Sequence, residues 1–307
     1  MAAPVFVFDN MRTRSNLFHR WISTSPEVVP IHHPFSVAAF LGPERFTRAV
    51  RAPEEQRKEY EAMMAPFFVE ETYEEGTGKF VDAVGEARDV GKIAFAKDHA
   101  IMTLKQDVMF PLIRGESRDF SQAKRNPTVI PDDLFGSLIP IIMIRHPCIQ
   151  IESIVRQLNG AVGPDALERE FLRISVSNKP CRFLYDVFCS QGRAPLVIEG
   201  DDVLWRTDEV AKAVCDHIGI GIDGLTETWQ PYAEHERPNK NPYFYMWMKT
   251  AWDSTELQRP IEKPGEPDEE AMYRGWIQRY GKEMAAAMES FALANLEDYE
   301  YLYSRKV

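Results

Sequence analysis

The chain lacks the marks of several large protein classes. Its 307 residues include only four cysteines, at positions 148, 181, 189 and 215, with no CxxC pair and no metal-ligand spacing. That argues against a disulfide framework or a zinc scaffold, and the simplest account is reduced thiols in a cytoplasmic protein. No metal site is expected: of the seven histidines only His32 and His33 are adjacent, and neighbours cannot readily both face one ion. Long apolar runs are missing too. Leu138–Ile144 falls well short of the roughly 18 residues that cross a bilayer, and the N-terminus has no basic-then-apolar leader. Positive charge is in deficit, with 36 Lys and Arg against 47 Asp and Glu, a formal charge of −11. With no segregated basic patch, such a field repels nucleic acid. Membrane, secreted and nucleic-acid-binding classes are all demoted.

Apolar residues are plentiful, at 44% with 11% aromatic, enough for a sizeable core. There is no internal repeat. Short apolar runs at Val5–Phe8, Glu27–Ile31, Lys92–Ala96, Leu138–Ile144 and Pro195–Glu199 read as strands. Leu138–Ile144 is continuous, as in a strand buried on both faces of a parallel sheet. Helical patterns separate the strands: Leu17 to Ile22 stopping before Pro26, then 54–64, Cys148–Leu158, Asp165–Ser175, Cys181–Cys189 and Asp208–Ile218. The alternation predicts an α/β fold with a parallel sheet, in one domain over 1–307. A long helix from about Asp268 to Leu296 should pack its Trp276, Tyr280, Met284, Met288 and Phe291 stripe on the body. Acidic, glycine-broken Val69–Gly78 reads as a surface loop or a helix end, and Glu262–Glu269 as an exposed linker or lid loop.

Gly219-Ile220-Gly221-Ile222-Asp223-Gly224 matches GxGxxG letter for letter, but a dinucleotide fingerprint needs a strand before it and a helix after it. Here a helix precedes it, so Gly219 reads as the left-handed residue that ends that helix. Three other segments sit at the carboxyl ends of predicted strands, where open α/β sheets bind ligands. After the first strand, Arg12, Thr13, Arg14, Ser15 and Asn16 lead into a helix: backbone N–H groups, hydroxyls and guanidiniums together suit a phosphate. The plain reading is an N-capped helix with solvated arginines. No GxxxxGK[ST] occurs, which demotes a P-loop kinase. After the most buried strand, Arg145 precedes Pro147 at the start of a helix that carries Ser153. After the third, Lys97 and His99 offer a cation and a general base for neutral pH. Each alone has a structural explanation; their convergence on one sheet edge carries the functional reading.

In order and spacing these segments resemble the sulfotransferase family, which uses 3′-phosphoadenosine 5′-phosphosulfate (PAPS). Met11-Arg12-Thr13-Arg14-Ser15-Asn16 is similar to the family's P-[KR]-[ST]-x-[ST]-[TN] loop, especially its P-R-S-R-S-T form in fungal and bacterial members. Arg145, Pro147 and Ser153 match R-x-P-x5-S, and Lys97 with His99 matches K-x-H. Leu196–Glu199 with Asp202 and Leu204 is similar to the strand that usually ends in Y-E-D-L. The resemblance runs from residue 5 to about 220. Met11 stands for the usual proline and Arg14 for a frequent glycine, Glu199-Gly200 lacks the tyrosine, and a C-terminal basic-glycine segment is absent.

The resemblance implies a three-layer α/β/α sandwich around a mainly parallel sheet with a P-loop-like phosphosulfate loop. It also implies transfer of a sulfuryl group from PAPS, a co-substrate that leaves as adenosine 3′,5′-bisphosphate, with no metal. Residues 12–16 would hold the 5′-phosphosulfate, and Arg145 and Ser153 the 3′-phosphate. His99 would be the base, with Arg12 and Lys97 stabilising the leaving phosphate. The expected acceptor is a small-molecule alcohol or phenol. His33 and Phe35, after the second strand, are candidates to line its pocket. The Tyr243-Phe244-Tyr245-Met246-Trp247-Met248 cluster is either an apolar lid or core packing. The rivals are a sulfotransferase-like enzyme of secondary metabolism that does not use PAPS, and a non-catalytic protein on a nucleotide-binding fold. The sequence leaves the oligomeric state open.

Overall fold

The computed structural model describes residues 2–116, 125–158, 170–259 and 267–307. Five strands form one sheet: β1 Val5–Asp9, β2 Val28–His32, β3 Ile93–His99, β4 Ile139–Ile144 and β5 Leu196–Glu199. Their order is β2-β3-β1-β4-β5 and every pair is parallel. From β1 the chain passes to the outer strand β2, returns to insert β3 between β2 and β1, then crosses to build β4 and β5 on the other side of β1. The carboxyl end of β1 therefore lies at a topological switch point, the usual place for a ligand crevice in an open α/β sheet.

Side chains alternate between the two faces with period two. Phe6, Phe8, Ala94, Ala96, Ile142 and Ile144 enter one core with Phe80, Val84, Leu184 and Phe188, which come from the helices Tyr73–Asp89 and Lys179–Ser190. Val5, Val7, Phe95, Ile141 and Met143 enter the other with Phe18, Trp21, Val210 and Val214, from the helices Ser15–Ile22 and Thr207–Ile218. Helices thus cover both faces, giving the three layers. At about 25 cal/mol per Å² of apolar surface, these fully buried β1 residues are each worth roughly 1.5–3 kcal/mol of burial.

Three boundaries differ from the sequence reading. β3 does not end at Ala96 but runs on through Lys97 to His99, which therefore sit within the strand. The segment taken as a loop or helix end near Val69–Gly78 contains a true helix start at Tyr73. Thr72 and Glu75 cap it reciprocally, side chain to backbone, and that pairing offsets the unfavourable glycines at 76 and 78. The single long C-terminal helix is two, Glu269–Tyr280 and Lys282–Tyr303, broken at Gly281, whose φ is 85°. The expected stripe still packs: Trp276, Met284, Met288 and Phe291 meet Cys148, Ile151 and Val155 of the Pro147–Gln157 helix. Gly219 has φ 77° and ends the Thr207–Ile218 helix, so the GxGxxG string is a cap. Residues 165–169 of one predicted helix and 262–266 of the predicted lid loop lie outside the described residues. Among the described residues no helix is long and apolar enough to cross a membrane.

The sheet's edges are both interrupted. Outermost β2 carries Pro30, which has no N–H to offer. Outermost β5 is met by the chain's last residues: Val197 bridges to Lys306, and the Val307 N–H donates to the Val197 carbonyl at 3.2 Å. Just past β5, Gly200 donates to the Ile144 carbonyl at 2.8 Å and lies directly under the loop after β1. A Cβ there would stand 2.1 Å from the Thr13 carbonyl oxygen. Gly200→Ala should therefore force that loop to move, costing roughly 1–3 kcal/mol in a urea melt. An unchanged midpoint would show that the contact is not tight.

Candidate active site

β1 ends at Asp9, and the chain turns through Asn10–Arg14 into the Ser15–Ile22 helix. Arg12 and Arg14 have φ of 66° and 63° and flank Thr13, whose φ is not positive. Such alternation turns successive N–H groups toward one concavity, a backbone nest that favours anions. Left-handed residues other than glycine cost of order 1–3 kcal/mol each, so the surroundings must hold them. They do: Gln150 Nε2 donates to the Met11 carbonyl at 2.6 Å, Arg145 Nη1 to the Arg12 carbonyl at 3.1 Å, and the Thr13 hydroxyl to the Asn10 carbonyl at 2.9 Å.

Asp9 is fully buried and organises the neighbouring strand end. Its register partner across β1 and β3 is His99, and period two puts Lys97 on the same face. His99 Nδ1 donates to Asp9 Oδ1 at 2.6 Å, and Lys97 Nζ lies 3.0 Å from Asp9 Oδ2. Burial alone would raise the Asp9 carboxyl, but Lys97 and His99 overcome it and hold the group below the usual carboxylate range. The same burial pushes the Lys97 ammonium down, against the pull of Asp9 and Asp98. With Nδ1 committed to Asp9, His99 Nε2 is the free acceptor nitrogen, and it has no partner among the described residues.

On the opposite face of β3, buried Asp98 accepts from the backbone N–H of Phe35, Ser36 and His99 and from the Ser36 hydroxyl. It fastens the segment after β2 to β3. His33 Nδ1 lies 3.2 Å from Asp98 Oδ1, and its Nε2 lies 2.9 Å from Asn16 Oδ1 and 3.1 Å from Lys97 Nζ. Burial and the Lys97 charge take His33 down to about 4, so its ring is neutral at pH 7.

The third segment ends β4. Arg145, nearly buried, donates through Nη2 to Asp201 Oδ1 at 3.1 Å, while its Nε has no partner among the described residues. Burial brings it down to about 10, still cationic at neutral pH. Arg14 Nε donates to the same Asp201 oxygen at 2.5 Å. Arg12 Nε donates to Ser153 Oγ at 3.0 Å. No carboxylate pairs with Arg12 among the described residues, and burial together with nearby Arg156 lowers its guanidinium.

A cavity of about 680 Å³ opens beside these groups. Met11, Arg12, Asn16 and His99 line it; six aromatic residues, Phe40, Tyr60, Phe171, Tyr243, Phe244 and Trp247, form part of the remaining wall, and Arg48, Glu54, Arg57, Lys58 and Glu61 bring charge to it. The structure therefore gathers Arg12, Thr13, Arg14, Ser15, Asn16, Lys97, His99, Arg145 and Ser153 at one sheet edge. Lys97 acts from behind the cavity wall, through Asp9, Asn16 and His33. Two acceptor-pocket candidates are placed elsewhere. Phe35 is fully buried against Phe80 in the core, and His33 backs Lys97; neither lines the large cavity. The Tyr243–Met248 cluster lies in the Pro242–Trp252 helix, packed on the core and bordering the cavity. Tyr243, Phe244 and Met248 are buried and line the cavity, whereas Met246 is 53% exposed. Sequence reasoning missed Asp9, Asp98 and Asp201. Asp9 alone left a signal, as a charged residue at the end of an apolar strand.

No family model matches the chain. It is 24% identical over 242 residues to the sulfotransferase ppzF of Metarhizium rileyi, which spans 71% of this chain and 70% of that protein. It is 24% identical over 246 residues to the sulfotransferase ppzF of Metarhizium majus, 72% of each. Among solved structures, a sulfotransferase from Alicyclobacillus acidocaldarius aligns over 98% of this chain and 100% of its own at 14% identity and a TM-score of 0.43. The sulfotransferase domain of the Synechococcus PCC 7002 olefin synthase aligns over 95% and 96%, with the same identity and TM-score. By sequence, the chain is similar to these two sulfotransferases over some seven tenths of its length, in line with the motif resemblance.

Beside this site, Glu199 ends β5 almost fully buried, and burial with nearby Asp201 pushes its carboxyl up from 4.5 to about 7. The folded state keeps this proton across a range where the unfolded chain releases it. Stability should therefore fall as pH rises from about 4.5 to about 7, by roughly 3 kcal/mol in total. Glu199→Gln should flatten that decline in urea melts across the range; parallel pH profiles for the two proteins would refute the assignment.

Proposed function

We propose that the protein is a PAPS-dependent sulfotransferase that sulfates a hydroxyl of a largely apolar small molecule. The observation that carries this is the His99–Asp9 pair. Among the described residues it leaves His99 Nε2 without a partner, on a residue that shares one cavity with Arg12, whose guanidinium is paired by no described carboxylate. The sulfotransferase relatives support the transfer chemistry.

In this reading the acceptor's hydroxyl oxygen attacks the donor sulfur as the sulfur–oxygen bond to the 5′-phosphate breaks. The hydroxyl proton passes to His99 Nε2, and the electron pair of the broken bond leaves on the phosphate oxygen of adenosine 3′,5′-bisphosphate. Asp9 accepts from Nδ1–H, fixes the tautomer that presents Nε2 as a base, and stabilises the imidazolium once formed. Arg12 and the backbone nest of residues 12–14 hold the 5′-phosphosulfate and stabilise the growing charge on the leaving oxygen. Lys97 supports this end by fixing Asp9 and Asn16. Arg145 and Ser153 take the 3′-phosphate, with the Arg145 Nε as a spare donor. The six aromatic residues of the cavity wall favour an acceptor with an apolar or aromatic body, an alcohol or phenol, that can bury its surface against them.

Calorimetric titration should give binding of adenosine 3′,5′-bisphosphate well above that of adenosine 5′-monophosphate. Arg145→Ala should abolish the difference, a loss of about 10–100-fold on the scale of a charged hydrogen bond. Equal affinity for the two nucleotides would remove PAPS as the donor. His99→Ala should slow transfer to a phenol by about 10²–10⁴-fold while leaving bisphosphate affinity intact. Normal turnover in that variant would remove His99 as the base.

A further inference from the structure

Transfer as described gives Asp201 no task, yet it stands in the middle of the anion-binding groups. One oxygen, Oδ1, accepts from Arg14 Nε at 2.5 Å and from Arg145 Nη2 at 3.1 Å. Its position is fixed from below, because its own N–H donates to Glu199 Oε2 at 2.6 Å. The carboxylate is only 17% exposed. Three guanidiniums, Arg12, Arg14 and Arg145, therefore surround the loop after β1, and a single carboxylate serves two of them.

We infer that Asp201 is a built-in counter-ion of the anion site: it neutralises Arg14 and Arg145 in the free protein and yields them to the phosphate of the bound nucleotide. The inference rests on the donor reading above and adds a specificity-setting residue to it. An arginine as buried as Arg145 is costly to hold without an opposite charge. Asp201 supplies that charge, and its backbone anchor keeps it in place. The ligand must then compete with a carboxylate that cannot drift away, so donor and product both bind more weakly than the three arginines alone would hold them. That weakening favours departure of the bisphosphate after transfer, a step that often limits turnover.

The test is titration of wild-type protein and Asp201→Asn with adenosine 3′,5′-bisphosphate and with inorganic pyrophosphate. Asparagine keeps the shape and the backbone anchor and removes the charge. Both anions should bind about tenfold more tightly to the variant, on the scale of a charged hydrogen bond released to the ligand. Its thermal midpoint should fall, because Arg145 has lost its counter-charge. A residue with a purely structural role would lower stability and affinity together; the opposite signs are the signature. Asp201→Ser should give the same gain, so whichever variant folds decides the matter. In an Arg14→Gln background the gain should shrink, since one of the two competing contacts is gone. Affinity unchanged or weakened in both variants overturns the inference and leaves the donor reading standing. Tighter pyrophosphate binding in a protein that does not distinguish bisphosphate from adenosine 5′-monophosphate keeps the counter-ion and overturns the donor reading. No binding of either anion to any of these proteins overturns both.

Discussion

The buried carboxylate of Asp9 is the constraint on which the rest of the site depends. It lies at the end of the central strand, sealed from solvent, and it is tolerable there only because Lys97 and His99 arrive beside it. They arrive because β1 and β3 pair in one register; a slip of a single residue would turn Lys97 and His99 to the opposite face. Strand pairing, charge compensation and the histidine tautomer are therefore one requirement. A substitution that broke the ion pair would leave an ammonium stranded in the core, typically a cost of about 3–5 kcal/mol. Selection on chemistry and selection on folding would act on this residue together.

The two proposed ligands are sorted by different physics. The protein is acidic as a whole, at a formal −11, yet Arg12, Arg14 and Arg145 gather at one sheet edge. With three guanidiniums against the one carboxylate that pairs two of them, that edge is the place in an acidic protein where an anionic donor is favoured. The apolar partner responds to nothing in that field. Its binding follows the area buried against the aromatic wall of the cavity. Salt should consequently weaken the first association and hardly touch the second.

The strand-and-helix alternation was legible in the sequence because hydrophobic period and turn chemistry are local. So were the three strand-end segments, since each needs only a few consecutive residues and a strand before them. What stayed hidden was non-local or compositional. Asp9 acquires its meaning from residues about ninety positions away, through a register that no single segment displays. The cavity wall draws on Phe40, Tyr60, Phe171 and Tyr243, which no short motif joins. Phe35 followed a strand and so invited a pocket role, but Asp98 pulls its backbone inward and commits the ring to the core. The helix at Tyr73 was masked by its glycines and glutamates until the cap at Thr72 is seen, and Gly281 broke a stripe whose apolar spacing runs on past it.

The interrupted edges of the sheet carry a consequence for assembly. Exposed edge strands recruit further strands, from a second copy or from unfolding neighbours, whenever they offer an unbroken row of donors and acceptors. Here Pro30 removes a donor from one edge, and the residues ending at Val307 already occupy part of the other. A second copy that joined its sheet to this one would meet a missing donor at the first edge, and at the second it would have to displace Lys306 and Val307 from Val197.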